Sequence, residues 1–208
     1  SMHIHFGRLP HNIKYYYLVY KVFYSIQNEL MNLLPKYTFH TELYKENGKN
    51  YCQPLTQYDS IANWYYDISG GLSLDKTRVN VDLTLPHPSD IEGRQKWHIN
   101  SRYSAVNFVN ALFYNRNKTI EFRFLKPSYN INYIINWLYL LTSILKTAEI
   151  IFNTSNVKDK NLYETDLLCK SLFENSGTLS TITIHDCIAT AFDNSTIQMH
   201  LMKFIQSI

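Results

Sequence analysis

The segment Lys118-Thr-Ile-Glu-Phe-Arg-Phe-Leu125 alternates polar and apolar residues, and a period of two sustained over that length is the signature of a strand. Ile120, Phe122 and Phe124 fall on one face, and Thr119, Glu121 and Arg123 on the other. Such a strand needs a partner strand and an apolar layer beneath it, and it holds a carboxylate beside a guanidinium. A Glu-x-Arg pair of this kind can bind a metal ion with one side chain and an oxyanion with the other. Taken alone, such a pair is more often an ion pair on a solvated sheet face, because strand faces commonly carry charges.

The expected partner strand is 105–114, joined through the turn Asn115-Arg116-Asn117. A two-residue turn at Arg116-Asn117 matches Phe113, Ala111 and Val109 to Ile120, Phe122 and Phe124 and sets Asn110 beside Arg123. A three-residue turn puts Asn107 on the Glu121 face instead. Apolar matching favours the first register, while a slip of a single residue exchanges the faces and leaves the second open.

Met2-His-Ile-His-Phe6 alternates as well, so His3 and His5 project from one side of a short strand that ends at Gly7-Arg8. Two imidazoles on one face can share a ligand, although a bare H-x-H is a weak zinc signal.

Helical spacing accounts for most of the rest. Residues 13–34 carry Leu18, Val22, Ile26, Leu30 and Leu33 and end at Pro35. Their Tyr15-Tyr16-Tyr17 cluster reads as helix packing with hydroxyls in water. Residues 59–68 form a short helix with Trp64 and Tyr65 inward, ended by Gly70-Gly71. A strand is expected at 78–85 and a loop at 86–93. A long helix spans 130–152, with Ile131, Ile134, Leu138, Leu141, Leu145, Ala148 and Phe152 as its buried stripe over the sheet. Further helices are expected at 162–173 and 196–205. Between them, His185-Asp186-Cys187 invites a Cys/His reading, but neighbours in sequence do not face one another, and a core cysteine is the simpler assignment. Together these elements make an α+β fold, an antiparallel sheet packed against helices, within a single domain of 208 residues.

Composition narrows the function classes. A net charge of +3 carried by scattered basic residues is no nucleic-acid footprint. The 3 cysteines are far apart and form no C-x-x-C pair, which fits a reducing, cytoplasmic compartment. The first residues lack the basic and apolar regions of a signal peptide. The longest apolar segment, 133–152, contains Asn136, Thr142, Ser143, Lys146 and Glu149, as a buried helix does and a membrane span does not.

Taken in order, Met2-His-Ile-His-Phe-Gly7, Tyr51-Cys-Gln-Pro54, Arg102-Tyr-Ser-Ala-Val-Asn107 and Thr119-Ile-Glu-Phe-Arg123, followed by the helix containing Trp137, resemble the amidoligase family. That family is a branch of the glutamine synthetase-like carboxylate-amine ligases. The resemblance covers residues 1–151 and leaves 152–208 as a helical extension. It implies part of a glutamine synthetase-like catalytic domain that uses ATP and Mg²⁺ to join a small-molecule or peptide carboxylate to an amine through an acyl phosphate. Carried over, His3 and Glu121 are metal-associated, His5 contacts nucleotide phosphate and Arg123 holds the reacting carboxylate. Arg102 and Asn107 are further contacts to substrate or phosphate. The family places an E-x-E strand ahead of H-x-H, and this sequence begins at H-x-H. The resemblance therefore implies either a companion chain that supplies acidic residues, or a remnant that keeps the fold without activity. The latter would be a binding or structural subunit, such as a phage or virus component.

Overall fold

A helix buried on every side through its first turns is the axis of the computed structural model, which describes residues 2–34, 52–69, 104–113, 118–174 and 182–207. Asn12 caps this helix, α1 (Ile13–Leu33), its side chain accepting from the Lys14 backbone N–H at 2.9 Å. Leu34 leaves it in extended backbone, the conformation that a following proline imposes. Leu18, Val22, Ile26 and Leu30 are buried as their spacing implies, but so are Tyr15, Tyr16, Tyr17, Val19 and Tyr20 on the other sides. The tyrosine hydroxyls are consequently not in water. Tyr15 donates to the Leu145 carbonyl at 3.4 Å, Tyr17 to that of Tyr58 at 3.2 Å and Tyr20 to that of Thr56 at 2.5 Å.

Two lysines are drawn inside with the helix, each with its charge answered. Lys14 Nζ donates to the carbonyls of Lys158 and Lys160, both at 2.6 Å, at a 3-10 turn formed by Val157–Asp159. Lys21 Nζ donates to the Tyr58 carbonyl at 2.9 Å and pairs with Glu174 at 2.6 Å.

The sheet lies against this axis. Strands β1 (Met2–Phe6), β2 (Val106–Asn107) and β3 (Ile120–Leu125) pair antiparallel in the order β1-β3-β2. The alternation read from residues 118–125 holds. On the apolar face the ring of Phe23 from α1 sits 5.9 Å from Phe122 and 5.4 Å from Phe124. The expected partner strand, by contrast, is only two residues long, because Asn107 starts a helix, α3 (Val109–Phe113). Its side-chain oxygen accepts from the Val109 N–H at 3.0 Å, a local bond that competes with further pairing. Val106 thus faces Phe122 and Asn107 faces Glu121, and neither tight-turn register forms. The register also shifts between Met2 and Ile4, so that His3 lies opposite both Arg123 and Phe124.

Of the remaining helices, α2 (Ile61–Ile68) is capped by Ser60 and buries Trp64 and Tyr65 as expected. The long helix α4 (Ile131–Thr154) reaches the sheet through Trp137, 5.8 Å from Phe124. Its buried stripe differs from the expected one in its first half: Ile131 is 70% exposed and Leu138 faces outward, while Trp137, Leu140 and Ile144 are inside. The buried arc is wider than a single stripe because α1 and two later helices, α6 (Ile184–Ala191) and α7 (Ser195–Ser207), all pack on α4. By length and composition α4 could cross a membrane, yet half of its most apolar stretch is buried inside the protein, the pattern of a core helix.

Capping boxes start α5 (Leu162–Phe173), between Asn161 and Glu164, and α6 (Ile184–Ala191), between Thr183 and Asp186; α7 (Ser195–Ser207) closes the chain. Helix α6 was not expected from the spacing, and it disposes of the Cys/His reading. Asp186 is committed to the cap, His185 is exposed, and Cys187 is buried with its thiol pKa pushed up to about 12 by loss of solvent. Gly70-Gly71, the expected strand 78–85, the loop 86–93 and Arg102 lie outside the described residues. At the coarse level the fold is α+β, a small antiparallel sheet with helices packed on it.

Candidate functional site

The face of the sheet opposite the core carries the polar side chains of all three strands. Glu121 is central because β3 is central, and its side chain is only 4% exposed against 42% for His3 and 46% for His5. Its two oxygens divide the neighbours. Oε1 meets His3 Nδ1 at 2.9 Å and His5 Nε2 at 3.6 Å. Oε2 accepts from Asn107 Nδ2 at 2.9 Å and from Arg123 Nη2 at 2.7 Å. Five residues from three stretches of the chain therefore meet around one carboxylate: His3, His5, Asn107, Glu121 and Arg123.

Each is positioned by its backbone. His3 and His5 share a face through the strand period, and the register shift opposite His3 lets its ring reach diagonally to Glu121 instead of pairing with Arg123 alone. The same Asn107 oxygen that opens α3 leaves the NH₂ of that amide as the group facing Glu121. Arg123 is held through its main chain, its N–H donating to the Ala105 carbonyl at 2.9 Å and its own carbonyl accepting from Cys52 Sγ at 3.1 Å. Cys52 makes that contact from a left-handed backbone, φ 59°, a conformation with a steric cost for any residue but glycine. The buried thiol has its pKa raised, chiefly by burial, so it remains a donor rather than a nucleophile.

The electrostatics follow from these contacts. Burial works to raise the Glu121 pKa, but hydrogen bonds from Arg123 and Asn107, with the charges of Arg123 and His5, outweigh it and hold the group below the usual carboxylate range. Glu121 is a carboxylate at neutral pH. His3 is pushed the other way from what its acidic partner alone would do: burial, aided by Arg123, lowers its pKa despite Glu121. A neutral His3 that donates Nδ1–H to Glu121 directs its basic nitrogen, Nε2, away from the carboxylate.

Of the residues read from the sequence as site candidates, His3, His5, Asn107, Glu121 and Arg123 come together, and Arg102 lies outside the described residues. Two contributors were not anticipated. Thr119, whose hydroxyl lies 3.5 Å from His5 Nδ1, was recognisable as a polar member of the Glu121 face. Cys52 bears on the site through the main chain of β3, for which spacing offers no signal.

A scan against models of protein families finds no match to this chain, and searches of curated proteins and of solved structures find none either.

The donor set bears on which ions the face can take. Mg²⁺ favours several oxygen ligands in octahedral array. This face offers one carboxylate with both oxygens engaged, beside imidazoles that suit softer metals. Among the described residues no group of three or more His, Cys, Asp or Glu side chains is arranged to hold a metal ion. By themselves these residues do not make a Mg²⁺ site. The imidazoles of His3 and His5 are the half-exposed groups of this face, and Arg123, 18% exposed at its side chain, is paired with Glu121.

Proposed function

We propose that this face is the carboxylate- and phosphate-handling part of an ATP-dependent carboxylate-amine ligase of amidoligase type. The observation that carries the reading is the meeting of H-x-H and E-x-R, more than a hundred residues apart in sequence, around Glu121, with Asn107 from a third family-like motif beside them. ATP supplies the phosphoryl group that makes a carboxylate electrophilic; an amine then forms the amide and phosphate leaves. In this reading Arg123 steadies the anionic carboxylate, its fork oriented by Glu121. His5, at the exposed edge, contacts a phosphate oxygen. His3, neutral and oriented by Glu121, is placed to accept the proton that the attacking amine loses. Oxygen ligands for Mg²⁺ beyond Glu121 would come from other residues or from a companion chain bearing acidic side chains. Soluble, cytoplasmic operation on small-molecule or peptide substrates belongs to the same proposal.

A second reading is favoured by the enclosure of Glu121, which is held at hydrogen-bond distance by His3, Asn107 and Arg123 with His5 at 3.6 Å. A carboxylate so enclosed also describes a remnant that keeps the fold as a binding or structural subunit, for example of a phage or virus. Calorimetry separates the two. The ligase predicts that the protein binds Mg-ATP and that Glu121→Gln, which withdraws the charge orienting Arg123 and His3, weakens binding about tenfold or more. Absence of heat with either protein, in the presence and absence of Mg²⁺, would leave the remnant.

A further inference from the structure

Helix α4 presents a second, outer side. Ile131, Ile135, Leu138 and Tyr139 recur on it at helical spacing and are 70, 41, 37 and 40% exposed, while Trp137, Leu140, Leu141 and Ile144 are buried in the core. Tyr129, wholly exposed, stands just ahead of the helix. No residue from 127 to 145 is charged, so this side of α4 runs without a charge of its own for roughly four turns. The Tyr139 ring is braced edge-on by Phe192, centroids 5.9 Å apart, and so has little freedom to lose on binding. Helix α7 covers a different side of α4, where Phe204 packs on Tyr133 and Trp137. The outer strip and Tyr129 together leave on the order of 600 Å² of side chain in solvent, the upper end of the patches that monomers expose. The same area, about 600 Å², is the lower end of what each partner buries in a specific interface.

We propose that a second copy of this chain docks on the strip, the two α4 helices packing antiparallel about a two-fold axis at Ile135. The spacing is self-complementary. Ile131 and Tyr139 lie equally far from Ile135 along the helix, so the operation that sets Ile135 against its own copy sets Ile131 against the partner's Tyr139, and the reverse. A branched aliphatic side chain thus meets a braced ring on both sides of the axis. The lack of charge selects the occupant: two copies meet with no like charges opposed along the helix, whereas a partner recognised through its charge would find none on α4 to answer it. An interface of this size holds two copies reversibly, at about micromolar affinity or weaker. The proposal stands apart from the ligase reading, because it is Trp137, on the inner side of α4, that faces the sheet.

Sedimentation velocity of the full chain over about 1–200 µM tests it. The sedimentation coefficient should rise with concentration from the monomer's to the dimer's. Ile135→Asp, which sets two carboxylates face to face on the axis, should weaken the dimer about tenfold or more, while circular dichroism at low concentration stays that of the unaltered protein. Position is tested separately with a short bismaleimide, since the native Cys52, Cys169 and Cys187 are buried. Ile135→Cys should be cross-linked to a dimer, and Ile150→Cys, outward on the same helix but far from the axis, should not. A monomer at every concentration overturns the proposal. So does a dimer that Ile135→Asp leaves unchanged and that Ile135→Cys does not cross-link, which would place the contact elsewhere. Monomer that pellets with phosphatidylcholine vesicles, and ceases to in Ile135→Asp, would assign the strip to a lipid surface and overturn it as well.

Discussion

At the scale of single residues, Glu121 is the group on which most depends. Replacing it with Gln leaves Arg123 and Asn107 facing an amide, and the loss of two charge-assisted bonds should cost about 2–3 kcal/mol in urea unfolding at neutral pH. The pH dependence carries two limbs. His3 has a lowered pKa in the folded protein, so the unfolded chain protonates first: stability from this group is complete above its ordinary value of 6.5 and is lost as pH falls through the lower folded value. Glu121 is lowered as well, so its contribution is present above 4.5 and disappears as pH falls through its folded value. Unfolding measured from neutral pH downward should show both limbs, and Glu121→Gln should erase the more acidic one. A profile with an unchanged acidic limb in that variant would show that another carboxylate is responsible.

At the scale of elements, strands were easier to read than the connections between them. A period of two is a local property of the chain, so the faces of 2–6 and 118–125 follow from sequence alone, whereas the pairing of these two strands, which brings His3 and His5 to Glu121, does not follow from spacing. Asn107 does lie on the Glu121 face, as the less favoured of the two registers had it, but not through a hairpin: one side chain-to-backbone bond leads from it into helix α3. Helix α4 shows a second limit: periodicity assigns one stripe, but tertiary neighbours on several sides decide the arc that is buried. That difference is measurable. Leu141→Ala, at a fully buried position, should cost about 2–5 kcal/mol. Leu138→Ala, at a position the stripe would have buried, should stay within roughly 0.5–1 kcal/mol. Equal losses at the two sites would mean that the helix is rotated from the orientation described.

At the scale of the whole molecule, α1 is the element that joins the parts. It packs against the apolar face of the sheet through Phe23, against the main chain of 55–58 through Tyr17, Tyr20, Lys21 and Gln27, and against the 3-10 turn through Lys14. Lys21→Met removes the cation between Tyr58 and Glu174 and should lower stability by about 1–3 kcal/mol, less if Glu174, which is partly exposed, rehydrates. The proposed ligase function rests on the order of the motifs and on their meeting in space around Glu121. Imidazole resonances report the second most directly. Followed by NMR through a pH titration, with and without Mg-ATP, His3 should titrate below 6.5, shift its midpoint in Glu121→Gln, and move together with His5 when nucleotide is added. A His3 that titrates at its ordinary value, indifferent to Glu121 and to nucleotide, would mean that the strands do not assemble a site.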